Sequence, residues 1–156
     1  MTYFILKFLH VMGAIVILGT GTGIAFFMLM AHLSRDVRHI ARTAATVVLG
    51  DYIFTATAVI VQPITGYLLV YEVGYSMTDK WILVSLVLYV VAGIFWVPVV
   101  GIQRRMRNLA QAAADGGMPL PDEYFRLFRI WFWFGFPGFG SVVAIVWLMI
   151  AKPVLW

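Results

Sequence analysis

The stretch YFILKFLHVMGAIVILGTGTGIAFFMLMA, Tyr3 to Ala31, decides the fold. Lys7 is its only charged residue, and His10 is the one other strongly polar side chain in it. A helix crosses the hydrocarbon core of a bilayer with about 20 apolar residues, so this run is long enough to span with turns to spare. It is too long for a removable signal peptide, and no small-residue cleavage pattern follows it. The rest of the chain is of the same kind. Hydrophobic residues make up 63% of the 156 positions, charged residues 12%, and the mean hydropathy is +0.95. A soluble domain carries roughly a quarter charged residues, and a chain this apolar would aggregate in water.

Three further spans follow. Ser34 reads as the N-cap of a second helix running through Ile40 and Val48 to about Val70, whose first turns carry Arg35, Arg38 and Arg42. Glu72 to Asp79 is a turn. A third helix starts at Lys80–Trp81, leaves the apolar region near Gln103, and continues to a stop at Gly116–Gly117. Pro119 and Pro121 mark the next loop, and Asp122 and Glu123 suit the first turn of a fourth helix that runs to Lys152–Pro153. The expected architecture is an all-α, integral membrane four-helix bundle forming one transmembrane domain over 1–156, with spans at about 3–31, 43–71, 81–103 and 127–151. Tyr3, Tyr71, Tyr75, Trp81, Trp131 and Trp156 read as an interfacial aromatic belt.

Orientation follows from the arginines. The first connection carries Arg35, Arg38 and Arg42, and the third carries Arg104, Arg105, Arg107, Arg126 and Arg129, whereas the middle one has Lys80 against Glu72 and Asp79. The positive-inside rule then puts both termini outside, with helices 2 and 3 extended on the cytoplasmic side. The net charge of +4 is a matter of topology, and nucleic acid is not an expected partner. With no cysteine, disulfides, thiolate metal sites, iron–sulfur clusters and cysteine nucleophiles are excluded. The Gly19–Ile24 run fails the dinucleotide-loop spacing, because Ile24 stands where a third glycine is needed. Gly19 and Gly23 read instead as a packing face, within the chain or in a homo-oligomer. The segment from Gly135 to Gly140, around Pro137, reads as a kink in the last span.

Polar residues inside spans are functional candidates by default. His10 has Gly13 and Ala14 three and four positions on, a trough beside an imidazole that would let a flat macrocycle approach the backbone. Histidine is a common ligand of haem iron; the plainer reading is a hydrogen bond to a neighbouring helix. His32 lies about 33 Å further along a straight helix, so it does not complete a pair with His10. Lys80, on the same side as His10, could ligate iron or pair with a propionate; the plainer reading is a lysine reaching the interface. Gln62 precedes Pro63, which frees a carbonyl near Val59, and with Gly66 forms one wall level with His10. Asp51 reads as a structural group at the cytoplasmic boundary, pairing with Arg104, Arg105 or Arg129, with a proton relay as the other possibility.

The segments Leu6-Lys7-Phe8-Leu9-His10-Val11, Gly50-Asp51-Tyr52-Ile53-Phe54-Thr55 and Val61-Gln62-Pro63-Ile64-Thr65-Gly66 resemble the bacterial integral membrane proteins catalogued as domain of unknown function 2269. That resemblance covers most of the chain and implies four membrane helices in the inner membrane, with no established activity. More distantly, Lys7-Phe8-Leu9-His10 and Lys80 before Trp81 resemble motifs of the HemJ-type protoporphyrinogen oxidases, although Asp79 and Trp81 depart from the small-residue context of that lysine. That likeness implies haem. The reading is therefore a membrane protein binding haem b through His10, with Gly13, Ala14, Gln62 and Lys80 around it, acting in electron transfer or in oxidation of a lipid-soluble or porphyrin-like molecule. The alternative is a cofactor-free transporter or scaffold subunit, and whether the chain is an enzyme stays open.

Overall fold

The computed structural model describes residues 1–154. Leu155 and Trp156, the latter counted in the belt, lie outside the described residues. The order of elements is α1 (Thr2–Ser34), α2 (Val37–Gly50), one π-helical turn (Asp51–Thr55), α3 (Ala56–Val73), α4 (Lys80–Gly116) and α5 (Asp122–Ala151). α2, the π turn and α3 run on as one rod, Val37–Val73, so four rods are long and apolar enough to cross a membrane. Among the described residues there is no strand.

Each boundary has a local cause. α1 stops at Ser34, whose hydroxyl donates back to Ala31 O at 2.6 Å, and Arg35 turns left-handed at φ 57°. The N-cap of α2 is Asp36 rather than Ser34: its carboxylate accepts from the amides of Arg38 and His39 at 2.9 and 3.2 Å. Gly74 and Gly117 end α3 and α4 at φ 81° and 63°, each followed by an amide that reaches five residues back, Tyr75 to Val70 O and Met118 to Ala113 O. This is the glycine-terminated turn that satisfies the last free carbonyls of a helix.

The four rods do not pack evenly. A continuous apolar core joins α1, α2, α4 and α5 at the arginine-rich end, built on Met28, Ala31, Ile40, Ala44, Met106, Ala110, Tyr124, Phe128 and Trp131. Toward the other end the bundle divides: α3 lies along α1, and α4 along α5. The π turn causes the change of partner. Ala56 N–H bonds Asp51 O, one residue further back than in an α-helix. That extra residue rotates the following helix by roughly 100° relative to the preceding one. α2 therefore presents its apolar face to α4, while α3 presents Gln62 and Thr65 to α1. Nor does α5 break at its glycine–proline segment. It stays helical throughout, and Gly138 faces α4, where a Cβ would make an ordinary contact with Phe95 Cβ at 3.6 Å.

Candidate functional site

The QPITG segment, Gln62–Gly66 of α3, closes around His10 of α1. Gln62 Nε2 donates to the His10 carbonyl oxygen at 3.0 Å, and His10 Nδ1 lies 2.9 Å from Thr65 Oγ1. A hydroxyl has one proton to give. Thr65 Oγ1 also faces two groups that can only accept, Val61 O at 2.9 Å and Gln62 O at 3.2 Å. The hydroxyl proton therefore goes to the helix backbone, and the oxygen accepts from His10 Nδ1–H. This assigns the proton of the ring to Nδ1 and leaves the lone pair on Nε2.

Both glycines at this crossing are filled from the opposite helix. A Cβ on Gly66 would stand 3.2 Å from His10 Cε1, and one on Gly13 would stand 3.1 Å from Gln62 Nε2. The imidazole thus lies over Gly66, and the Gln62 amide occupies the notch at Gly13. The expected trough beside His10 is closed: the side chain expected to form a wall fills it instead. Gln62 and Thr65 are both buried, His10, Gly13 and Ala14 half-buried, and Gln62 Oε1 has no hydrogen-bond partner.

Pro63 does what its position implies. Lacking an N–H, it leaves Val59 O without a donor from its own helix, and Tyr89 of α4 donates its hydroxyl to that carbonyl. This bond spans the seam where α3 and α4 otherwise scarcely meet. Lys80 opens α4, whereas the side chains that bond His10, Gln62 and Thr65, both come from α3.

Asp51 belongs to a second polar cluster nearer the arginine-rich end. It is buried, and none of Arg104, Arg105 and Arg129 is within ion-pair distance of it; Arg105 bonds Glu123 instead, at 2.9 and 3.1 Å. The Asp51 carboxylate accepts from Trp96 Nε1 at 3.4 Å and from the Gln103 amide at 2.9 Å. The Gln103 side chain is oriented by its neighbours, its NH2 toward Asp51 and its oxygen accepting from Trp131 Nε1 at 3.1 Å. The chain of bonds links the second rod, α4 and α5. Trp131 is accordingly a buried network member, not a belt residue. Trp96, Gln103 and Tyr89 are polar partners that the sequence did not single out, and Thr65 stood there only as a member of the Val61–Gly66 motif.

His32, at the opposite end of α1 from His10, is stacked on Phe128 at 3.6 Å between ring centres. Among the described residues no group of three or more His, Cys, Asp or Glu could hold a metal ion. A shallow groove of about 640 Å³ runs along one side of α1, lined by Ile15, Leu18, Gly19, Thr22, Gly23 and Phe26.

Neither a curated protein nor a solved structure matches the chain. A family model does, over residues 4–153, under the description of a predicted integral membrane protein, DUF2269. With four apolar rods and a match over nearly its whole length, the chain belongs to the DUF2269 family of integral membrane proteins.

Proposed function

We propose that the protein binds one haem b in the half of the bundle that holds His10, with His10 Nε2 as an axial ligand, and that it serves electron transfer or the oxidation of a small lipid-soluble or porphyrin-like molecule. One observation carries this reading. His10 is held through Nδ1 by Thr65, the arrangement in which a ligating histidine donates its other ring N–H to a neighbouring oxygen. The donor fits and the trough does not. Since Gln62 fills the notch at Gly13, a macrocycle would have to reach His10 Nε2 by another approach than that trough. Haem bound there would supply a one-electron carrier. Thr65 would fix the ring plane, and Gln62 would hold the backbone of His10 in place. Lys80 is the candidate for a propionate or for the second axial position. The same reading puts the arginine-rich end in the cytoplasm of a bacterial cell, both termini outside the inner membrane, and the Gly19–Gly23 face against lipid or a second copy.

The closed notch favours a second reading, in which the His10–Gln62–Thr65 cluster only fastens α1 to α3 in a scaffold or transporter subunit. Absorption spectra of the detergent-purified protein, expressed with haem in supply, separate the two. Haem binding requires a Soret band and reduced α and β bands in the wild type, abolished in His10→Ala and shifted in Thr65→Val. A colourless wild type would leave the fastening role.

A further inference from the structure

We propose that the corner between α1 and α2 is a docking surface for anionic phospholipid headgroups, engaged by Arg35, Arg38 and Arg42. α2 has two distinct faces. Ile40, Ala41, Ala44, Val47 and Val48 are buried, whereas Arg38 and Arg42, one turn apart, are exposed, and Arg35 is exposed at the bend before them. The carboxylate closest in sequence, Asp36, is engaged in capping α2. None of the three guanidinium groups lies within ion-pair distance of a carboxylate among the described residues, while Arg105 at the same end is neutralised by two bonds to Glu123. Three permanent charges without a counter-charge on one corner call for an anion.

The neighbouring turns of α1 say what kind. Phe27, Met30 and Leu33 expose 61%, 41% and 61% of their surface. Side chains this apolar require acyl chains around them, so lipid extends to within a turn of Ser34. Arg35 and Arg38 then stand at the edge of this apolar shelf, and Arg42 beside it. A guanidinium fork matches a phosphate with two parallel N–H···O bonds. A headgroup with its own acyl chains satisfies both features, whereas a soluble anion satisfies only the first. Fixing topology needs only positive charge; it does not require unpaired guanidinium groups grouped on the exposed side of an amphipathic helix.

The test is lipid retention by the full-length protein in detergent micelles containing equal amounts of phosphatidylglycerol and phosphatidylcholine, read by native mass spectrometry. The wild type is expected to retain phosphatidylglycerol at least about fivefold over phosphatidylcholine, a scale set by one basic residue at an anionic surface. The Arg35→Gln/Arg38→Gln/Arg42→Gln variant loses that preference, and the Arg105→Gln control keeps it. A wild type without preference overturns the proposal, and this needs no variant to fold. A triple variant that keeps the preference overturns it as well. So does inorganic phosphate that competes on equal terms, because the surface would then recognise a free anion.

Discussion

At His10 the crossing of α1 and α3 comes down to one imidazole held between a hydroxyl and a glycine. The Thr65 bond fixes where the ring can point, and Gly66 leaves the space in which it lies. A methyl group at Gly66 would come within 3.2 Å of His10 Cε1, and the ring would have to give way by a few tenths of an ångström against its bond to Thr65. Gly19, on the α1 helix that carries His10, has nothing within 4 Å in the chain and reports the effect of alanine without overpacking inside the bundle. Gly66→Ala is therefore expected to be less stable than Gly19→Ala by about 1–3 kcal/mol, the usual range for overpacking. Thermal unfolding in detergent checks this, and equal midpoints would mean that the ring is not confined as described. His10, Gln62 and Gly66 were legible in the sequence because polar side chains and glycines stand out in an apolar run. Thr65 was not, because a mid-helix threonine ordinarily spends its hydroxyl on its own backbone, and here it does that as well. The filling of Gly13 was hidden for another reason: a glycine announces space but not which side chain will enter it.

Elements are joined across the seam by a bond between a helix defect and a distant tyrosine. Pro63 was recognisable as the residue that frees the Val59 carbonyl, yet nothing local identifies Tyr89 as the donor, thirty positions away. Tyr89→Phe removes that donor and leaves a half-buried carbonyl unpaired, a loss of about 1–3 kcal/mol. Pro63→Ala returns an N–H four residues beyond Val59 and lets α3 satisfy its own carbonyl. The two changes should therefore be non-additive, with Tyr89→Phe costing much less in the Pro63→Ala background. Additive losses in a double-mutant cycle would show that the tyrosine stabilises by packing alone. The π turn is the other feature invisible from sequence. Its residues are ordinary apolar and hydroxyl side chains around Asp51, and only the competition between α4 and α1 for the faces of one rod shows why a wider turn is needed there. Asp51 itself was visible as an intramembrane acid, but its partners were misjudged. A place at the same boundary as Arg104, Arg105 and Arg129 suggested ion pairs, whereas the bundle turns Trp96 and Gln103 toward the carboxylate and leaves Arg104 and Arg129 exposed.

For the whole molecule, four spans with an arginine-rich end and an arginine-poor end make orientation a single two-way choice, and the chain is well suited to deciding it. It contains no cysteine, so any introduced thiol reports without background. Ser76 is exposed in the connection between α3 and α4, and Met118, 60% exposed, lies in the connection between α4 and α5. The two positions are separated by the full length of α4, 37 residues or about 55 Å, so they stand on opposite sides of any membrane the rod crosses. If the arginine-rich end is retained in the cytoplasm, as charge bias at the ends of membrane helices dictates, a membrane-impermeant maleimide added to intact cells labels Ser76→Cys and spares Met118→Cys. Both label once the membrane is opened. The reverse pattern would invert the molecule and carry His10 with it to the cytoplasmic half, where a haem would face a different redox partner. It would also move Arg35, Arg38 and Arg42 to the other leaflet. Labelling of both positions in intact cells would rule out a single orientation, and with it the assignment of either polar cluster to one side.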